Sequence, residues 1–106
     1  MFMPAHQIYG GELNEMYGDP GAKPALMRYK QAENVKYARD RAFDEQGVMT
    51  PLEMSPVKPG WTAWNRNAAG AATEPTLMEG HHRLAWAMNR DPHKELPITW
   101  TDKYSG

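Results

Sequence analysis

The sequence predicts a small α+β domain in which a short mixed sheet packs with two main helices. Three observations carry this. A helical period runs through the first half of the chain, a two-residue alternation closes the second half, and between them a short apolar strand turns on a glycine straight into a helix. The order read along the chain is helix, strand, long loop, strand, helix, strand.

At 106 residues the chain fits one domain, since domains commonly hold about 100–150 residues. Hydrophobic residues make up 41% and charged residues 24%, close to globular averages, which argues against wholesale disorder. Nine Gly and nine Pro imply long irregular connections. A formal net charge of -1 creates no overall field for nucleic acid or anionic membrane, so any nucleic-acid contact must come from a local patch. Cysteine is absent, which excludes disulfides, thiolate chemistry and cysteine-ligated zinc. No apolar run approaches the roughly 18 residues that span a bilayer. Met1 to Gly11 has neither the basic start nor the apolar middle of a signal peptide. A soluble, cytoplasmic protein without membrane partners is expected.

Residues 1–23 read as an irregular N-terminal arm, because Pro4, Gly10, Gly11, Gly18, Pro20 and Gly21 break it into short pieces. Glu12 to Tyr17 has room for a turn of helix, and a protein partner is one way to order such an arm. The domain proper spans 24–102. Leu26, Val35, Ala38, Ala42 and Phe43 fall near a 3.6-residue period, which predicts a helix from about Gln31 to Gln46. Pro24 suits an earlier first turn, and Gly47 a left-handed stop. The other face, with Lys36, Arg39, Asp40, Asp44 and Glu45, reads as solvated.

Val48, Leu52 and Met54 suggest a strand that starts at or after Pro51, or lies at an edge, because proline cannot donate to a ladder. A long loop, 55–75, carries Trp61, Trp64 and Arg66 as candidate partner contacts. The two indoles can stack on a base, fill a partner's groove or fold over their own core. Thr76 to Met78 then makes a strand, and His81 to Arg90 a helix with Leu84, Ala85 and Met88 inward and Pro92 past its end. Leu96 to Thr101 alternates, with Leu96, Ile98 and Trp100 on one face. Residues 103–106 form a tail.

The chemistry concentrates at Glu79-Gly80-His81-His82-Arg83. A strand that turns on glycine into a helix presents backbone N–H groups at the positive end of the helix dipole, which suits an anion. Arg83, in the first turn, can clamp a phosphate at two points. Gly80 allows close backbone approach or a positive φ. His81 and His82 point about 100° apart on a helix, so together they do not make a metal pair. One of them can donate to phosphate or act as acid or base, with Glu79 orienting it or holding a metal. Alternatively, His81 caps the helix and His82 is a structural histidine bonded to backbone.

The run Leu77-Met78-Glu79-Gly80-His81-His82-Arg83-Leu84-Ala85-Trp86-Ala87, with Leu96-Pro97-Ile98-Thr99-Trp100 after it, resembles the Asp-Gly-His-His-Arg-Leu-Ala-Ala motif and trailing Ile-Pro-Val strand of the ParB/sulfiredoxin-like superfamily. Phe43 to Met54, with Gly47, Val48, Pro51 and Leu52, is similar to that family's helix, Gly-Ile and Pro-Ile strand. The resemblance covers about half the chain and implies a small ParB-like domain, of the stand-alone kind often encoded by phages, in a host cytoplasm or a virion. It implies phosphate contacts from Gly80, His81, His82 and Arg83, with Ala85 close-packed. CTP, ATP or ADP with Mg²⁺, or DNA phosphate, are the ligands it suggests.

The chain departs from the family at several points. Glu79 replaces the usual aspartate and reaches one methylene further. The reductase's cysteine is missing, a kinase-type glutamate has no matching position, and no helix-turn-helix pattern follows. A nucleotide- or nucleic-acid-phosphate-binding domain is therefore the leading expectation. A structural or interaction protein, such as a phage particle component, and a phosphotransferase or nuclease using Glu79 and His82, are the alternatives.

Overall fold

The structure, a computed structural model, describes residues 1–10, 22–55 and 76–101. Among them lie β1 (Phe2–Pro4), α1 (Ala5–Gly10), α2 (Ala22–Lys36), α3 (Arg39–Gln46), β2 (Leu52–Ser55), β3 (Thr76–Glu79), α4 (His81–Arg90) and β4 (Glu95–Trp100). The α+β class is as the sequence predicts. The sheet is mixed, in the order β1-β4-β2-β3. β1 runs antiparallel to β4, β4 parallel to β2, and β2 antiparallel to β3. Trp61, Trp64 and Arg66, the Glu12–Tyr17 turn, nearly all of the 55–75 loop and the 103–106 tail lie outside the described residues.

One apolar cluster joins sheet and helices. Leu52, Met54, Leu77, Leu96 and Ile98 from the strands meet Leu84, Ala85, Trp86 and Ala87 of α4, with Ala5 and Ile8 of α1 and Met27 of α2. α4 is buried over more of its circumference than the predicted inward stripe because α1, α2 and α3 all pack against it. β2 begins at Leu52, past Pro51, so the proline is spared a place in the ladder. In β4, Leu96 and Ile98 are buried as the alternation predicts, whereas Trp100 is 41% exposed. Its indole N–H donates to Met1 Sδ at 3.1 Å beyond the core.

Two expectations are corrected. Residues 1–10 are not irregular. Phe2, Met3 and Pro4 pair with Pro97, Leu96 and Glu95, Ala5 N–H donates to Lys94 O and His6 N–H to Pro92 O, and Ala5 and Ile8 are fully buried. A three-residue strand has no periodic signal of its own, and its stability comes from a partner near the other end of the chain.

The expected helix from Gln31 to Gln46 is two helices. The chain turns at Tyr37 and Ala38, and Ala38 takes φ 60, ψ 22. Ala38 N–H reaches back only to Val35 O, at 3.2 Å, and a new ladder starts with Ala42 N–H to Ala38 O. No breaker residue marks this point, so tertiary packing overrides propensity. The apolar face also differs: Val35 is 61% exposed, while Met27 and the polar Asn34 turn inward. Pro24 sits in the first turn of α2, where its missing N–H costs nothing. Gly47 ends α3 at a positive φ of 75, but with ψ -179 rather than the ψ of a left-handed-helical cap.

The expected solvated face of α3 is partly engaged. Asp44 Oδ1 accepts from Trp86 Nε1 at 2.9 Å and Arg90 Nε at 2.8 Å, while Asp44 Oδ2 accepts from Arg90 Nη2 at 2.8 Å. The Arg90 hydrogen bond, then that of Trp86, lowers the Asp44 carboxyl from 3.8 to about 2. Because the folded value is depressed, the stabilisation is present above the unfolded value and is lost as pH falls through the folded one. Asp44→Asn is therefore expected to lower the melting temperature at pH 7, and the gap to wild type should close between about pH 4 and pH 2. A gap independent of pH would remove the ion pair as its cause.

A second prediction concerns Ala38. A left-handed conformation costs an L-residue about 1–2 kcal/mol, partly offset in glycine by the entropy of the unfolded chain. Ala38→Gly should raise stability by about 0.5–1 kcal/mol in urea titration; a loss would contradict the assigned conformation.

Candidate functional site

Gly80 is the joint between β3 and α4, and only glycine fits it. Its φ is +113, and a Cβ built there would lie 2.6 Å from Leu52 Cγ. Both of the glycine's predicted uses, positive φ and close approach, are present. The close approach is to the Leu52 side chain of β2. The capping position of α4 is thus a residue without a side chain, and the expected His81 cap has no place. The first intrahelical bond is Leu84 N–H to Gly80 O at 2.9 Å, so the N–H groups of the first turn precede the ladder.

His82 is tied to α2, not to backbone. Its Nε2 lies 2.8 Å from Glu33 Oε1, and its carbonyl oxygen accepts from Asn34 Nδ2 at 2.9 Å. Glu33, rather than the expected Glu79, orients the imidazole. The His82 hydrogen bond, aided by charge from His82, Lys30 and Arg39 and opposed by partial desolvation, holds the Glu33 carboxyl below its usual range. Asn34 is fully buried, and its Nδ2 also reaches Gln31 Oε1 at 3.1 Å. Arg83 turns to the segment ahead of β2, where its Nη1 donates to Thr50 O and Pro51 O, each at 2.9 Å.

A cleft of ≈ 440 Å³ opens at this joint. Gly80, His81, His82 and Arg83 line it together with Glu79, so the structure does bring the predicted residues to one place. Lys30 of α2, and Arg39 and Phe43 of α3, form its other wall. Arg39 is half-buried, and its Nη1 is buried without a hydrogen-bond acceptor among the described residues. Buried donors are nearly always paired, so a donor without an acceptor on an arginine that lines a cleft is out of the ordinary. Among the described residues, the lining therefore holds Lys30, Arg39, Arg83 and two imidazoles against the single carboxylate of Glu79.

The sequence reading missed Lys30, Glu33, Asn34 and Arg39. Glu33 and His82 are 49 residues apart, and no local pattern joins them. Arg39 was assigned to a solvated face because the break at Ala38, which turns it inward, carries no breaker residue. Among the described residues, no group of three or more His, Asp or Glu is arranged to hold a metal ion, and no helix is long and apolar enough to cross a membrane.

No protein-family model, curated protein or solved structure matches this chain.

The joint predicts its own sensitivity. Gly80→Ala would place a methyl group against Leu52 in a backbone conformation hostile to L-residues. A loss of about 2–5 kcal/mol is expected in denaturant unfolding; near-wild-type stability would show that the turn can relax.

Proposed function

We propose that the chain binds a phosphate-bearing ligand, a nucleotide or a nucleic-acid phosphate, in the cleft at the head of α4. The observation that carries this reading is the buried, unpartnered Nη1 of Arg39, set in one cleft with Lys30, Arg83 and the first turn of α4. A helix N-terminus flanked by arginine is favourable for phosphate on two counts, the dipole with its unladdered N–H groups and the charge-assisted bonds of the guanidinium. The two bonds of Arg83 use Nη1 alone and leave the rest of its fork outside that grip. The likeness of Leu77–Ala87 to the ParB/sulfiredoxin-like turn supports a nucleotide as the class, with CTP, ATP and ADP the first to test. Glu79 lines the same cleft and can share Mg²⁺ with ligand phosphates, since that ion commonly takes one or two carboxylates and keeps several waters.

A second reading has its own observation. His82 is bound to Glu33 and Arg83 to backbone, as in a turn that serves as a structural joint in an interaction protein. The hydrogen-bonded Glu33–His82 pair is also the arrangement a phosphotransferase or nuclease would need for a general base.

Isothermal titration with CTP, ATP and ADP, each with Mg²⁺, and with short DNA separates these. Binding is expected, and Arg39→Ala should weaken it roughly tenfold or more, because a hydrogen bond to a charged group contributes about 1.5–3 kcal/mol. No binding by any of these ligands, or full affinity in Arg39→Ala, would overturn the proposal in favour of the structural joint. Metal-dependent turnover lost in His82→Ala would add catalysis.

A further inference from the structure

The phosphate cleft has a neighbour along α2. A groove of ≈ 250 Å³ is lined by Tyr29, Ala32, Glu33, Lys36 and Tyr37. Its two tyrosines are 61% and 57% exposed, so neither ring is used by the core. Each has cations over it: Lys30 Nζ lies 5.9 Å from the Tyr29 centroid, and Lys36 Nζ and Arg39 Cζ lie 5.4 and 5.2 Å from that of Tyr37. Lys30 and Arg39 also line the phosphate cleft, so the same two cations border both spaces. Among the described residues, the one carboxylate lining the groove, Glu33, is engaged by His82 at 2.8 Å and Lys30 at 3.9 Å, which offsets its charge toward an anionic ligand.

Exposed aromatic rings interleaved with lysine and arginine, continuous with a phosphate seat, are what a single-stranded nucleic acid needs. Bases stack on the rings, and the backbone follows the cations. Tyr29 and Tyr37 stand eight positions apart on or just past one helix, roughly 12 Å along its axis at about 1.5 Å per residue. A mononucleotide has one base and occupies one ring, whereas a strand of about three or four stacked nucleotides, at roughly 3.4 Å each, spans both. A duplex keeps its bases stacked inside and cannot offer them to the rings.

Resting on the phosphate-binding reading of the cleft, we infer that the ligand is a single-stranded nucleic acid, with one phosphate at Arg39 and Lys30 and its adjoining bases stacked along Tyr29 and Tyr37. Recognition of this kind is tolerant of sequence, because every base has a π-face.

Fluorescence anisotropy with labelled oligo-dT and oligo-rU of about ten nucleotides, competed with CTP, inorganic phosphate and a blunt duplex, tests this. Both strands should bind more tightly than CTP or the duplex. Both tyrosines are surface residues, so their alanine variants should fold, as circular dichroism will verify. Tyr29→Ala and Tyr37→Ala should each weaken oligonucleotide binding by roughly 5- to 100-fold while leaving competition by inorganic phosphate at Arg39 unchanged. Arg39→Ala should weaken every ligand. Oligonucleotide affinity unaltered in the Tyr29→Ala/Tyr37→Ala double variant, or a duplex bound as tightly as the strand, overturns the inference. In that case CTP or phosphate binding that still depends on Arg39 leaves the cleft's phosphate role standing. Loss of both would remove that role as well.

Discussion

The contact between Gly80 and Leu52 is the constraint on which the remaining geometry depends. The chain leaves β3 and enters α4 directly against the Leu52 side chain of β2, at a φ of +113 where a Cβ would meet Leu52 Cγ at 2.6 Å. Because β3 and β2 are neighbours in the sheet, this fixes where α4 starts and therefore where its positive end lies. Residues immediately after the joint then have no choice of surroundings. His82 meets α2, and Arg83 meets the backbone at Thr50 and Pro51. A burial that would be ordinary for a leucine thus becomes the device that aims a helix terminus.

The second determinant is the break at Ala38. A left-handed alanine holds about 1–2 kcal/mol of local strain, and such outliers persist only where surrounding structure over-determines them. Here the surroundings are identifiable. Before the break, α2 is locked by Glu33 and Asn34 to His82; after it, α3 is locked by Asp44 to Trp86 and Arg90. Two helices anchored independently on α4 cannot form one straight rod, and the mismatch falls on the turn between them. That turn separates Tyr37 from Arg39, leaving the ring exposed and the guanidinium half-buried in the cleft. The strain lies between the two groups that border cleft and groove.

How much of this could be read from the sequence follows from where each stabilising contact lies. α4 and β4 were legible because period and flanking proline agree locally with the packing that forms. The glycine joint was legible in kind, since only a positive φ or a close approach calls for glycine between a strand and a helix, although Leu52 as the neighbour was not. β1 and α1 were illegible because three residues carry no period and their partner, β4, lies more than ninety residues on. The helix break was illegible because the sequence Val35-Lys36-Tyr37-Ala38-Arg39 contains no breaker and the cause is tertiary. Arg39 and Glu33 follow the same rule: a charge pattern on one helix cannot say which other element it will face.

The pairing of His82 with Glu33 bears on how the work of the turn is divided. Glu33 is held as a carboxylate, which only accepts hydrogen bonds, so Nε2 of His82 carries the shared proton. Under the proposed function, phosphate contact falls to groups that can only donate: the guanidinium of Arg39, Lys30, the part of Arg83 outside its backbone grip and the first N–H groups of α4. On that reading, a histidine that the sequence puts forward as a ligand contact is instead held from α2 by Glu33. The proposed contact passes to Arg39 on α3, a cation in the cleft lining that no local pattern distinguishes.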